Sequence, residues 1–177
     1  MALSETNKNE IIKVREIIDK LNKIDEHYIR SESEVISQIQ PFLLSMILGY
    51  RLDLKAEVLE EITKLIFLIW EYFKDNEKVR QNKITESQFE KIQNRNTHLL
   101  KYFEGEPDFD ERMKVISSDL DHLDSLILLS GIYLKFNTKN ALIEMNEEKR
   151  GKLIIGLKSL IECFEEIEKS SSSGFIE

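Results

Sequence analysis

The sequence predicts an all-α protein, a compact bundle of about six helices, from three observations. Apolar residues recur at spacings of three and four along nearly all of the 177 residues, and no alternating strand pattern extends over five or more of them. Glycine and proline together number eight (6 + 2), too few for the turns of a sandwich, propeller or repeated hairpin. Hydrophobic residues make up 41% and charged residues 33%, a balance typical of a globular chain. We expect one helical domain over residues 1–169 and a flexible Ser-rich tail over 170–177.

The first two predicted helices occupy the N-terminal third. The first spans about residues 5–28, where apolar residues step by 3, 4 and 3. Ser31 followed by Glu34 has the spacing of a capping box and is expected to begin the second helix. Pro41 falls inside that helix and should kink it.

A third helix is predicted over about residues 54–74, with Asp53 as its cap. Its residues from Leu65 to Trp70 are all apolar. Because a helix that is apolar on every side is buried all round, we expect this one to be central.

Polar residues 76–86 are expected to form a short helix or a linker. Ser87 with Glu90 is a second capping-box pattern and predicts the start of a fourth helix. Gly105 then suits a helix C-cap, and Pro107 marks the end of the helix.

The fifth predicted helix covers about residues 109–136. Asp108 with Glu111 is its start signal, and its second half is apolar all round, so we expect it to be the second central helix. Asn137 or Thr138 should cap the last helical region, which Gly151 is expected to divide. The seam of that last region comprises Leu153, Leu157, Leu160, Phe164 and Ile167.

Three glycines lie inside apolar helical segments, namely Gly49, Gly131 and Gly156. We expect them to allow close approach between helices. Cys163 is the sole cysteine of the sequence, which excludes an intrachain disulfide, and its apolar neighbours predict a small buried side chain.

The formal net charge of −8 opposes binding to DNA or to anionic lipid. Residues 76–104 are the only positive stretch, with 6 basic and 4 acidic side chains, so RNA could be bound through these residues alone. The longest apolar runs are near nine residues, whereas a membrane span needs about 20. With no signal-peptide pattern at the N-terminus, these features favour the cytoplasm, and the Ile-, Lys-, Asn- and Glu-rich composition is typical of bacterial genes of low GC content.

Asp119 and His122 are the first candidate metal pair. Their spacing resembles half of the acid-x-x-His pattern of di-iron bundles, which need a second such motif. The residues three positions before His27 and His98 are not acidic. We therefore favour a solvated helix face with a local Asp–His hydrogen bond, and we assign no metal ligand.

Arg95 and His98 are the second candidate pair, within the polar interruption Gln93–His98 of an otherwise amphipathic helix. Arg followed by His on a helix resembles the HEPN ribonucleases, which are small all-helical dimers; their pattern has four to six residues between Arg and His, and this chain has two. The resemblance implies an RNA-cleaving pair, whereas the residues alone favour a surface helix.

Motifs for nucleotide binding, zinc peptidases and serine hydrolases are absent from the sequence. We therefore assign no catalytic or cofactor-binding residues and favour a non-enzymatic scaffold, adaptor or regulatory protein, with a protein partner or a second copy of itself in a homodimer. The alternative is a small ribonuclease or metal-dependent enzyme that uses Arg95/His98 or Asp119/His122.

Aromatic residues near helix ends are candidates for the interface, because such side chains are favoured at protein contacts. They are Tyr28, Tyr50, Tyr102 and Phe109. A third hypothesis, an apolar ligand bound between Phe67, Trp70 and Tyr133, competes with the simpler interpretation that these residues fill a dry core.

Overall fold

The structure is a computed structural model that describes residues 5–170, and all ten elements in this range are α-helices. The predicted all-α class is confirmed, but residues 5–170 form ten helices rather than about six. Residues 171–177 of the predicted tail lie outside the described range. In chain order the helices are α1 (Glu5–Leu21), α2 (Glu26–Ile39), α3 (Pro41–Asp53), α4 (Ala56–Phe73), α5 (Glu77–Gln81), α6 (Glu86–Gly105), α7 (Phe109–Asp121), α8 (Leu126–Thr138), α9 (Asn140–Ile143) and α10 (Glu147–Lys169).

The two central helices are α4 and α10. Ten side chains of α4 are buried, including every residue from Leu65 to Trp70, which confirms the predicted central position of the third helix. Eleven residues of α10 are buried, among them the whole predicted seam. The rings of Phe73 on α4 and Phe164 on α10 stack with centroids 5.0 Å apart, so the core is continuous between these helices.

The prediction that residues 109–136 form one central helix is wrong. This stretch divides into α7, which has no buried residue, and α8, which has four. Between them, the backbone N–H of Ser125 donates to Glu165 Oε1 at 2.7 Å. Because this contact joins residues 40 positions apart, local periodicity could not reveal the break.

The first predicted helix also ends early, at Leu21 rather than near Tyr28. Asp25 caps α2, since its Oδ1 accepts from the Tyr28 backbone N–H at 2.8 Å. Ser31 lies inside α2 and does not begin a helix. The capping-box pattern at Ser31 was therefore misleading, because Asp25, earlier in the chain, supplies the cap.

Pro41 does not kink a helix; it is the first residue of α3. Proline is favoured at this position because its missing N–H has no intrahelical partner there. Asp53 is the last residue of α3 and not the cap of α4, which begins after Lys55 without a side-chain cap.

Of the helix starts predicted in the second half of the chain, one is confirmed and two are wrong. Asp108 caps α7 as predicted, and Oδ1 accepts from the backbone N–H groups of residues 110 and 111. Thr85, not Ser87, caps α6. Asn146, not residue 137 or 138, caps α10.

Two glycines were assigned the wrong role. Gly105 is the last residue of α6, and none of the described glycines has a positive φ, so Gly105 does not form a left-handed C-cap. Gly151 lies within α10 and does not divide it.

Close approach of helices is confirmed at two of the three predicted glycines. A β-carbon at Gly131 would lie 3.0 Å from Val14 Cγ1, and one at Gly156 would lie 2.6 Å from Tyr50 Oη. At Gly49 the same position has nothing within 4 Å. Gly49 is therefore not required by packing within the chain.

Gly156→Ala is expected to lower the free energy of unfolding by about 1–2 kcal/mol, because the new methyl group would overlap Tyr50 Oη. Tyr50→Phe should recover most of this loss, since it removes the overlapping oxygen. Gly151→Ala, on the same helix in open space, should instead stabilise by about 0.5–1 kcal/mol. Urea denaturation of the four variants, the double variant included, measures these differences; equal effects at both glycines would contradict the packing.

A cluster of polar side chains joins α1, α2 and α4 around the buried carboxylate of Glu71. Lys20 Nζ donates to it at 2.8 Å, Lys74 Nζ at 2.6 Å, and the Tyr28 hydroxyl also donates to it. Burial alone would raise the pKa of Glu71, but these hydrogen bonds outweigh it and hold the pKa below the usual 4.5. The pKa of Tyr28 is raised by burial first and then by its hydrogen bond to Glu71.

Because the pKa of Glu71 is lower in the folded than in the unfolded chain, its stabilising contribution is complete above the unfolded pKa. It is lost as the pH falls through the folded pKa. We expect Glu71→Gln to be less stable than wild type at neutral pH and the difference to shrink below about pH 4. Urea denaturation at several pH values measures this, with the exposed Glu16→Gln as control; a difference that stays constant down to acid pH would contradict it.

No helix within residues 5–170 has the length and apolar character needed to cross a membrane.

Candidate functional site

A polar cleft of about 610 Å³ lies where α6, α7 and α10 meet. Apolar Leu99 and Val115 form part of its wall, and ionisable side chains form most of the rest. These ionisable residues are Arg95, Lys114, Asp119, His122, Glu162, Glu165, Glu166 and Lys169.

Three of the four residues singled out by the sequence line this cleft. Arg95 comes from α6, Asp119 from α7, and His122 from the C-cap of α7. His98 does not line it and is exposed on α6. The two sequence-predicted pairs are therefore regrouped: Asp119 and His122 stay together, whereas Arg95 joins them without His98.

A buried amine, Lys158 on α10, joins two side chains that line the cleft, Asp119 and Glu162. Its Nζ donates to Glu162 Oε1 at 2.7 Å, to Asn96 Oδ1 at 3.0 Å and to Asp119 Oδ1 at 3.3 Å. The side chain is only 10% exposed. Since an ammonium group can donate three hydrogen bonds, these three acceptors satisfy it completely.

Asn96 joins this network from α6. Its Nδ2 donates to Ser159 Oγ at 2.9 Å and to Glu162 Oε2 at 2.5 Å. Arg95 reaches the same carboxylate, with its guanidinium 2.9 Å from Glu162 Oε1. Asn96, Lys158, Ser159, Glu162, Asp119 and Arg95 are called the cleft network below.

The cleft network accounts for two residues of the polar interruption Gln93–His98, namely Arg95 and Asn96. Asn96 is buried, at 4% exposure, and faces α10, so the helix is polar there because its partner surface is polar. Sequence reasoning missed Lys158 and Glu162, although their spacing of four on a helix is typical of an ion pair.

The positive side chains of the cleft are paired with carboxylates. Lys169 lies 2.7 Å from Asp124 and 3.7 Å from Glu165, and Lys114 lies 2.6 Å from Glu111. A phosphate group would have to displace these partners, and buried carboxylates would face it. The arrangement works against an RNA backbone site built on Arg95.

No group of three or more His, Cys, Asp or Glu side chains within residues 5–170 is arranged to hold a metal ion. Asp119 Oδ1 is close to Lys158 Nζ, and an ammonium group so near would repel a metal cation. His27 lines a separate surface hollow on α2, together with Asp25, Glu26 and Arg30.

Cys163 is buried in the core, as predicted, at 0% exposure. Burial, together with the neighbouring Glu166 and Glu162 carboxylates, raises the pKa of its thiol to about 12. The thiol is therefore protonated at neutral pH and is not a nucleophile.

The four aromatic candidates for an interface divide into two pairs. Tyr102 is 46% exposed and Phe109 63% exposed, on either side of the connection between α6 and α7. Tyr28 and Tyr50 are only partly exposed, since Tyr28 bonds to Glu71 and Tyr50 packs on α10.

The exposure of Phe67, Trp70 and Tyr133 does not support an apolar ligand site between them. Phe67 and Trp70 are each 1% exposed and belong to the core, whereas Tyr133 is 43% exposed on α8. The core interpretation therefore holds for the first two residues.

Sequence reasoning missed the most exposed apolar side chain of the described residues, Leu52, at 87%, and its neighbour Leu48, at 59%. Both lie on α3. Their spacing of four residues could have indicated a shared helix face.

No protein-family model, curated protein or solved structure matches this chain.

Proposed function

We propose that this protein is a non-enzymatic interaction protein that associates with a second copy of itself. One observation carries the proposal: two leucines of the same helix, Leu48 and Leu52, are 59% and 87% exposed, although the chain has an extensive core. Single exposed apolar residues are ordinary, but two on neighbouring turns of one helix face form a patch that is typical of an interface.

The chemistry of the cleft supports the non-enzymatic part of the proposal. Lys158, Arg95 and Asn96 all bond to the Glu162 carboxylate, so these groups satisfy one another. A general base or nucleophile needs a free lone pair directed at a substrate. The Glu162 carboxylate already accepts from three donors, and the Cys163 thiol is buried, so neither is well placed to supply one.

Size-exclusion chromatography with light scattering tests self-association. We expect the measured mass to rise with protein concentration from that of one chain, 20.8 kDa, towards twice that value. A mass that stays at 20.8 kDa at every concentration would exclude self-association and leave only a different partner.

A hydrolytic enzyme is the second candidate function, and the convergence of Arg95, Asp119 and His122 on one cleft favours it. The test is incubation of single-stranded RNA with purified protein, with and without divalent metal. We expect no cleavage. Cleavage that is lost in His122→Ala but kept in His98→Ala, which changes a histidine outside the cleft, would replace the first proposal by this one.

A further inference from the structure

The exposed residues of α3 are Pro41, Arg51, Asp53 and a group of four, Ser45, Leu48, Gly49 and Leu52. At 100° per residue, these four positions fall within an arc of about 100°. We call this surface the α3 face. It is apolar except for one hydroxyl group.

Folding of the single chain does not account for the α3 face. The opposite side of α3 supplies the core contacts: Leu43 and Met46 are buried, and the Phe42 ring lies 5.0 Å from the Phe89 ring of α6. Leu48 and Leu52 remain 59% and 87% exposed. Their apolar character therefore needs another partner.

We propose that the α3 face of one copy packs against the α3 face of a second copy, with the two helices antiparallel about a two-fold axis. This inference rests on the proposed self-association and identifies its surface. A two-fold contact requires a surface that is complementary to itself, and the order of large and small residues on the α3 face meets this condition.

The complementarity follows from the residue numbers. In an antiparallel pair centred between residues 48 and 49, residue i of one copy faces residue 97 − i of the other. Leu48 then faces Gly49 of the partner copy, and Leu52 faces Ser45 of the partner copy. Each large side chain meets a small residue, which allows close packing without overlap.

Gly49 offers the space that this packing needs. A β-carbon at Gly49 would have nothing within 4 Å, so glycine is not required there by the chain's own fold. The same open position lets the partner copy's Leu48 approach the backbone of α3 closely.

The local charge permits a second copy to approach at this surface. The chain has a net charge of −8, and two copies therefore repel one another over most orientations. Residues 41–50 contain no charged side chain, and the remaining charges of α3, Arg51 and Asp53, cancel. The α3 face is thus a surface on which two acidic chains can meet without like charges in contact.

A pair of helices crossing on four residues covers less area than a standard interface of about 1,600 Å². We therefore expect a weak dimer whose population depends on concentration.

The experiment uses two variants of the full chain, Leu52→Lys and Ser45→Glu, studied alone and mixed. Each alone should weaken the dimer about tenfold or more, because an unpaired charge would be buried at both copies of the 52–45 contact. In the mixture, Lys at 52 of one variant faces Glu at 45 of the other, while the second contact remains Leu52 with Ser45. The mixture should therefore form a heterodimer, detected by sedimentation velocity with one variant fluorescently labelled.

Leu134→Lys is the matched control, since Leu134 is also 59% exposed but lies on α8. It should associate like wild type. Thermal unfolding by circular dichroism should show all three variants folded, because all three positions are exposed.

Two results separate the failures. A wild-type protein that is monomeric at every concentration overturns the proposed function itself. If the wild-type protein forms a dimer and Leu52→Lys dimerises equally well, self-association stands but the α3 face is not its surface. The same conclusion follows if both variants dimerise weakly and form no heterodimer when mixed.

Discussion

Replacing Gln40 by methionine is expected to lower the free energy of unfolding by about 3–5 kcal/mol. The side chain is fully buried between α2 and α3. Its Nε2 donates to the carbonyl oxygens of Val79 and Asn82, at 2.7 and 2.6 Å, and its Oε1 accepts from the Ile84 N–H at 3.0 Å. Methionine has a similar length but cannot replace these bonds, so three backbone groups would be left without partners.

The effect of Gln40→Met is measured by urea denaturation followed by circular dichroism. Gln38→Met is the control, because Gln38 is exposed on the last turn of α2, and its stability should remain close to that of wild type. Equal stability of the two variants would show that the α5–α6 connection is not held by Gln40.

Lys158→Met is the second large effect, with an expected loss of about 3–5 kcal/mol. The substitution keeps the apolar stem but removes the ammonium group that bonds to Glu162, Asn96 and Asp119. Glu162 is 12% exposed and would be left with less compensation for its buried charge. Breaking one side of a buried ion pair costs more than the pair contributes, because the remaining charge stays desolvated.

Lys152→Met is the control for this prediction, since Lys152 forms an i,i+4 pair with Glu148 on the same helix but is 72% exposed. Its removal should leave the stability almost unchanged, because water screens an exposed pair. The double variant Lys158→Met/Glu162→Gln should be more stable than Lys158→Met alone. If the double variant loses as much free energy of unfolding as Lys158→Met and Glu162→Gln lose together when measured singly, the two residues do not interact.

The helices that sequence reasoning predicted best are those whose burial follows from their own pattern. The apolar run Leu65–Trp70 and the seam of α10 required no knowledge of neighbouring elements to be recognised as core. The pattern of residues 109–136 was equally apolar in its second half, yet α8 lies at the periphery with Leu134 exposed. The periodicity of apolar residues indicates which residues are buried, but it does not indicate which helix lies at the centre of the bundle.

Helix ends were predicted less well because several are set by contacts distant in sequence. The break before α8 depends on Glu165, and the connection before α6 depends on Gln40. The local cap at Asp108, which bonds only to the two residues that follow it closely, was predicted correctly. The equally local caps at Asp25, Thr85 and Asn146 were missed.

Some residues of the candidate cleft could be predicted from the sequence, and others could not. Arg95, Asp119 and His122 attracted attention by residue type, and they meet in one cleft. Lys158 did not, because its significance depends on a contact with Asn96 that spans 62 residues. The α3 face was missed for the opposite reason: an apolar helix suggests burial, and only the structure reveals which side of α3 faces outward.

Cross-linking through position 48 tests the central claim, association through α3, most directly. In Leu48→Cys the new thiols of two copies would lie beside the two-fold axis, whereas the native Cys163 is buried and should not react. Leu134→Cys places a thiol at a leucine with the same exposure of 59% on α8. Under mild oxidation we expect a covalent dimer to form rapidly with Leu48→Cys and slowly with Leu134→Cys. Equal rates for the two variants, or faster cross-linking through residue 134, would contradict the account.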